Sequence, residues 1–157
     1  MISMNDEAIE DAFVEQFTAV FDAAMPRTST RMLALLLATR KPSLTSRELA
    51  SRLEVSAGSV STSGRLLVER GFASRTVDPE TRRDLYRIAD DMWERVHALE
   101  ARRADPIMDL FDSTMKSLSP KHPAMARLQD FRDFQVYHRK EMQALVARYL
   151  ANKRERT

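Results

Sequence analysis

Two short stretches hold the side chains best suited to chemistry with an anion. The first is "SAGSVSTSGRLL", in which Ser59, Ser61, Thr62 and Arg65 fall on or near one face of a helix, while Val60, Gly64, Leu67 and Val68 form the other. Small hydroxyls can meet phosphates or base edges, and an arginine can grip guanine through two hydrogen bonds. Few residues in the first half of that helix are larger than valine, so its backbone can come close to a partner. The second stretch is "DPETRR", a turn presenting Arg82 and Arg83. Their guanidinium groups can lie along phosphates or reach into a minor groove. Taken alone, such an arginine pair also fits a solvated turn. The run of Ser and Thr lowers helix propensity, which favours a use by a partner over a purely structural one.

Other chemistries find little material. There is no cysteine, which excludes disulfides, thiolate zinc sites and cysteine nucleophiles. His97, His122 and His138 are scattered and lack carboxylates at ligand spacing. Gly58, Gly64 and Gly71 are the only glycines, so no phosphate-binding loop can be built. No Gly-x-Ser-x-Gly elbow occurs. Asp90 and Asp91 stand at a helix start, where the helix dipole accounts for them. The expectation is a protein that is not an enzyme and carries no cofactor and no metal.

The elements that would position the two stretches are mostly helical. Ile9, Phe13, Phe17, Val20 and Phe21 recur every three or four residues and predict a helix over 5–24, ended by Pro26. Thr28 or Ser29 is expected to cap a second helix running to Arg40, with Met32, Leu33, Leu36 and Leu37 inward. Thr45 and Glu48 have the spacing of a capping box, and Ser56 caps a further helix that stops near Gly71. From Phe72 the pattern turns to alternation: "FASRTV" and "DLYRI" read as a hairpin around "DPETRR". A long helix follows from Asp90, with Pro106 either kinking it or opening a new helix. After the break "SLSPKHP", a last helix spans about 123–152, with Met125, Leu128, Phe131, Gln135, His138, Met142, Leu145 and Tyr149 in one stripe.

Charge follows the same division. The chain has 157 residues and a net charge of +2. Residues 1–25 carry six acidic residues and no Lys or Arg, whereas residues 26–88 hold 12 Lys+Arg against 6 Asp+Glu. A basic middle segment suggests a local anionic partner. The acidic start lacks the basic and apolar pattern of a secretory signal, so a cytoplasmic protein is expected. The longest apolar run, Met32–Ala38, falls far short of the about 20 residues a membrane span needs, so no membrane partner is expected.

A helix–turn–helix followed directly by a basic hairpin is the pattern of a winged helix. The stretch "LTSRELASRLEVSAGSVSTSGRLLVERGFASRTVDPETRRDLYRIADDMWE" resembles the core of the MarR superfamily, and is similar to its GbsR-like branch in the "VSAGSVSTSGRLLVERGFASR" block, the "RRDLYRI" return strand and the "DDMW" that opens the next helix. The resemblance covers residues 10–95. It implies a mainly α fold: a winged helix-turn-helix over 26–89 with a small β-hairpin wing, flanked by dimerisation helices over 1–25 and 90–157. It also implies a homodimeric regulator of transcription, read first as a repressor, binding double-stranded DNA. Ser59, Ser61, Thr62 and Arg65 match the family's reading helix, and Arg82 and Arg83 its wing. The wing sequence "DPETRRD" departs from the alternating acidic and basic residues common there.

The alternative is a winged helix that contacts protein and not DNA. The apolar helices at both ends exceed what one winged helix can cover, which also points to a homodimer. Tyr86, Trp93, Met108 and Phe111 could line a small-molecule effector pocket. Relatives in the GbsR-like branch sense choline or glycine betaine, and aromatic faces bind quaternary ammonium groups. Ordinary core packing is the competing role for these four.

Overall fold

The computed structural model describes residues 4–21 and 25–156, and divides them into two compact units meeting at Met92/Trp93. The first holds α1 (Met4–Val20), α2 (Arg27–Ala38), β1 (Leu44–Thr45), α3 (Ser46–Leu53), α4 (Ala57–Glu69), β2 (Ala73–Val77) and β3 (Asp84–Ile88). The second consists of α5 (Met92–Ser117), whose first residue belongs to the first unit, and α6 (Met125–Glu155). The predicted end of the first helix, residues 22–24, lies outside the described residues.

The core of the first unit is the inward face of its helices. Met32, Leu35, Leu44, Leu49, Leu53, Val60, Leu67 and Tyr86 are all buried in one cluster, joined by Val14 of α1. Burial of this apolar surface is the main force holding the unit together. Helix α1 packs on α2 and falls within the first compact unit.

The cap of α2 differs from expectation. Pro26, not Thr28 or Ser29, is the N-cap residue, and the cap has no side-chain hydrogen bond. Proline's fixed φ suits a helix entrance, so hydroxyl capping is not needed to start this one. The capping box of α3 forms as expected: Glu48 N–H donates to Thr45 Oγ1 at 3.2 Å, and Thr45 N–H donates to Glu48 Oε2 at 2.7 Å. Gly71 ends α4 at φ 83°, where a Cβ would be unfavourable. The two-residue strand β1 was not legible in the sequence. It pairs antiparallel with β3, giving strand order β1-β3-β2 with Leu44 opposite Tyr86 and Arg75 also opposite Tyr86.

In the second unit α5 runs through Pro106 without ending. The facing helices are tied by the Arg139–Asp105 ion pair at 2.8 Å, by an Arg132–Asp112 ion pair, and by Phe111 stacked on Phe131 at 4.8 Å between ring centroids. Val96 is the one buried residue of α5, and α6 has none.

Candidate nucleic-acid interface

Helix α4 is built so that one stripe is free. Ser56 caps it, accepting from Ser59 N–H at 3.1 Å. Val60, Ser63, Gly64 and Leu67 face the core, and Gly58, Ser61, Thr62, Arg65 and Glu69 are exposed. Those exposed positions are spaced three or four apart and so share one face. Ser59 stands apart from the other three predicted contacts: it is half-buried, and its hydroxyl shares a hydrogen bond with that of Ser56 at 2.9 Å. Gly58 has open space where a side chain would go, its virtual Cβ meeting only Ser56 Oγ at 3.7 Å. Folding therefore does not require glycine there, and its presence keeps the first turn of α4 bare.

The wing is shaped by Asp78. Its carboxylate accepts from Glu80 N–H at 3.0 Å and from Thr81 Oγ1 at 2.7 Å. The Thr81 hydroxyl first, and then the Glu80 amide, hold that carboxyl below its usual range. Asp78 and Arg83 close the turn through their backbones at 2.8 Å. Arg82 and Arg83 are exposed at the tip, and Arg82 sits in the left-handed region at φ 58°. A non-glycine residue there is disfavoured, so its side chain is retained against a local backbone cost.

The basic residues of the first unit divide sharply. Arg27 and Arg31 pair with Glu15, Arg40 with Asp6, Lys41 with Glu48, Arg75 with Asp84, and Arg87 with Asp90. Arg52 sits among Glu7, Glu10 and Asp11, with Glu10 at 2.6 Å and Asp11 at 2.5 Å. Burial disfavours the Arg52 charge, but the hydrogen bonds to Glu10 and Asp11 more than offset this and leave its proton held more tightly than usual. By contrast, Arg47, Arg65, Arg82 and Arg83 are exposed and in no ion pair among the described residues. Much of the excess positive charge of residues 26–88 is thus neutralised by the acidic α1. What remains uncompensated lies on α3, α4 and the wing.

Arg47 was missed from sequence, where it reads as one solvated charge of a short helix. The usable signal was its place as the second residue of the helix preceding α4, since that helix crosses the backbone in helix–turn–helix docking. Arg65 follows a neighbour of Tyr86: Gly64 lies against the Tyr86 ring.

Of the four residues read as an effector pocket, the three on α5 do not line one cleft. Tyr86 is 1% exposed and belongs to the first unit's core. Trp93 lines an apolar cleft with His97, Leu145, Val146 and Tyr149, with a volume of about 360 Å³. Met108 lines a separate, charged cleft with Asp105, Asp109, Arg132 and Arg139. Phe111 is stacked on Phe131. Trp93 and Met108 lie on one continuous helix, and at 1.5 Å per residue they are roughly 22 Å apart, too far to line one small pocket.

Comparison with known proteins gives matches on both units. Residues 25–84 match a model of the MarR family, and residues 91–153 match a model of MmpR5-like MarR family transcriptional regulators. The HTH-type transcriptional regulator MmpR5 of Mycobacterium tuberculosis is 29% identical over 139 residues, covering 87% of this chain and 84% of that protein. A crystal structure of a transcriptional regulator superposes with a TM-score of 0.79 at 28% identity, covering 91% of this chain and 99% of the other.

Proposed function

Taking this chain as a member of the MarR family of winged-helix transcriptional regulators, we propose that it reads duplex DNA with α4 and grips the backbone with its wing. In this reading Ser61, Thr62 and Arg65 face base edges in the major groove, with Ser59 contributing through the first turn. Arg82 and Arg83 lie on the backbone or in the minor groove, and Arg47 meets a phosphate. The observation that carries the reading is the set of four exposed arginines in no ion pair among the described residues, all on elements that dock in a winged helix. A mobility shift at 50 and 200 mM salt tests it. Up to three phosphate contacts per protomer require affinity to fall steeply with salt. Equal binding at both concentrations would favour the alternative, a module that contacts protein.

The acting unit is proposed to be a homodimer, for which the long helices supply the surface. Phe134 and Tyr137 are each 62% exposed, and Phe131, Leu145 and Tyr149 about half exposed, along a helix with no buried residue. Apolar faces of this extent mark an interface, and two-fold DNA sites call for two-fold proteins. Sedimentation at micromolar concentration should give twice 18.0 kDa; a monomer would overturn this part.

Within the family, the match over 91–153 leads us to set the chain beside MmpR5-like regulators in place of the GbsR-like branch. Repression is the proposed sign of regulation, with a small molecule as its proposed control. The candidate site for that molecule is the Trp93 cleft, whose wall is apolar apart from His97, and an apolar or aromatic guest fits it better than a quaternary ammonium. Trp93 is the sole tryptophan, so its fluorescence should change on titration with such a compound. By linkage, the compound must bind differently with and without DNA.

A further inference from the structure

We propose that Tyr86 is a positioning residue that sets the height of the reading helix above the sheet, and that Gly64 is glycine so that this contact can form. The inference rests on the DNA-binding reading above and deepens it. Gly64 lies in the middle of α4, one residue before Arg65 and two after Thr62. It has no positive φ that would demand glycine, unlike Gly71. Glycine is the poorest helix former after proline, so the position needs another reason. The reason is steric: a Cβ at 64 would stand 2.4 Å from Tyr86 Cε1, 2.7 Å from Cζ and 2.9 Å from the hydroxyl oxygen. Carbon atoms at rest sit roughly 3.5–4.0 Å apart, so an added methyl must move helix and ring apart by about 1 Å.

The ring has little freedom to yield. Tyr86 is 1% exposed, and its strand is the central one, paired with Leu44 on one side and Arg75 on the other. Leu44, its partner on β1, stands two residues before Ser46, the first residue of α3. Three residues earlier on the same chain segment stands Arg83 of the wing. One side chain therefore touches the middle of the reading helix, its strand pairs with the segment that leads into the helix before it, and that strand leads from the wing tip. A displacement of α4 by about 1 Å would take base-edge hydrogen bonds out of their 2.7–3.2 Å range. The wing's backbone grip would be left in place.

This gives a signature that general destabilisation does not share: loss of discrimination without loss of non-specific affinity. The probes are the duplex recovered by selecting a random-sequence pool on the wild-type full-length protein, and a mixed-sequence duplex of equal length. Gly64→Ala is expected to lower affinity for the selected duplex at least tenfold while changing the mixed duplex less than twofold. Gly64→Ala combined with Tyr86→Leu, which removes the obstructing ring, is expected to recover most of the lost discrimination. Tyr86→Phe keeps the ring and removes only the hydroxyl that stands against Gly64; it should reduce discrimination about threefold, and it carries the test if Gly64→Ala does not fold. Unchanged discrimination in a folded Gly64→Ala variant overturns the proposal. So does an equal loss on both duplexes, or, where only Tyr86→Phe folds, unchanged discrimination in that variant. A wild-type protein that recovers no preferred duplex refutes the DNA-reading assignment itself, and the positioning role with it.

Discussion

The arginines that meet helix α1 and those on α4 and the wing have the same chemistry and opposite surroundings. Arg52 is largely buried among three carboxylates, its side chain 18% exposed. Arg65, Arg82 and Arg83 are exposed and in no ion pair among the described residues. The contrast teaches that a basic segment is not a basic surface. Helix α1 uses its acids to neutralise one group of cations, and the field left over is confined to the elements that would meet DNA.

The strongest way to break the comparison is to remove a member of the neutralised group. Arg52→Ala leaves the buried Glu10 carboxylate with only the Arg40 backbone N–H at 3.2 Å. Loss of one partner of a buried pair should destabilise the protein by about 3 kcal/mol, measured by urea unfolding. Salt dependence of DNA binding by the remaining folded protein should not change.

Arg65→Ala is expected to do the reverse. It should leave the unfolding midpoint within error and cost about 1–3 kcal/mol of DNA affinity per half-site, relaxing sequence preference. Competition binding with single-base variants of a selected duplex checks both parts. An unchanged preference would remove Arg65 from the base-reading set.

A subtler separation comes from the two residues held against local preference. Arg82→Gly relieves the left-handed backbone at φ 58° while deleting a wing charge. Unfolding should show stability unchanged or raised by up to about 1 kcal/mol, whereas non-specific DNA binding weakens. Gly58→Ala should stabilise the exposed first turn of α4 by about 0.5–1 kcal/mol and weaken DNA binding, because the added methyl stands where the duplex would approach. A variant that is stabilised and binds DNA as well as before would show that α4 docks differently.

The smallest effect is on the capping box that orients α3. Burial tends to raise the Glu48 carboxyl, but hydrogen bonds from Lys41 and from the Thr45 amide and hydroxyl lower it further, to about 2 from 4.5. The box therefore contributes fully above pH 4.5, and its contribution is lost as pH falls toward 2. Glu48→Gln keeps an acceptor without a titrating group, so its unfolding free energy should vary less with pH across that window.

How much of this was legible depends on whether the cause was local. The capping box at Thr45/Glu48, the Ser56 cap, the Gly71 stop and the hairpin at "DPETRR" are set by neighbours in sequence, and each forms where the residues indicate. The exposed stripe of Ser61, Thr62 and Arg65 followed from helical period alone. Strand β1 did not, because two residues carry no period and owe their pairing to β3. The neutralisation of Arg40 and Arg52 joins residues more than 30 positions apart, which summed charge cannot reveal. For Tyr86 a pocket wall and core packing both stayed open, because an aromatic at a helix–sheet junction has the same local sequence in either role.

The most direct test of the central claim is the slope of log affinity against log salt for a mixed-sequence duplex, measured for the wild type, Arg82→Ala/Arg83→Ala and Arg27→Ala. Each lost phosphate contact should flatten the slope by about one. The double wing variant is therefore expected to lose about two per protomer, and Arg27→Ala, whose charge is paired with Glu15 at 3.8 Å, none. Equal slopes for all three proteins, or an equal loss from Arg27→Ala, would contradict the division of charge described above.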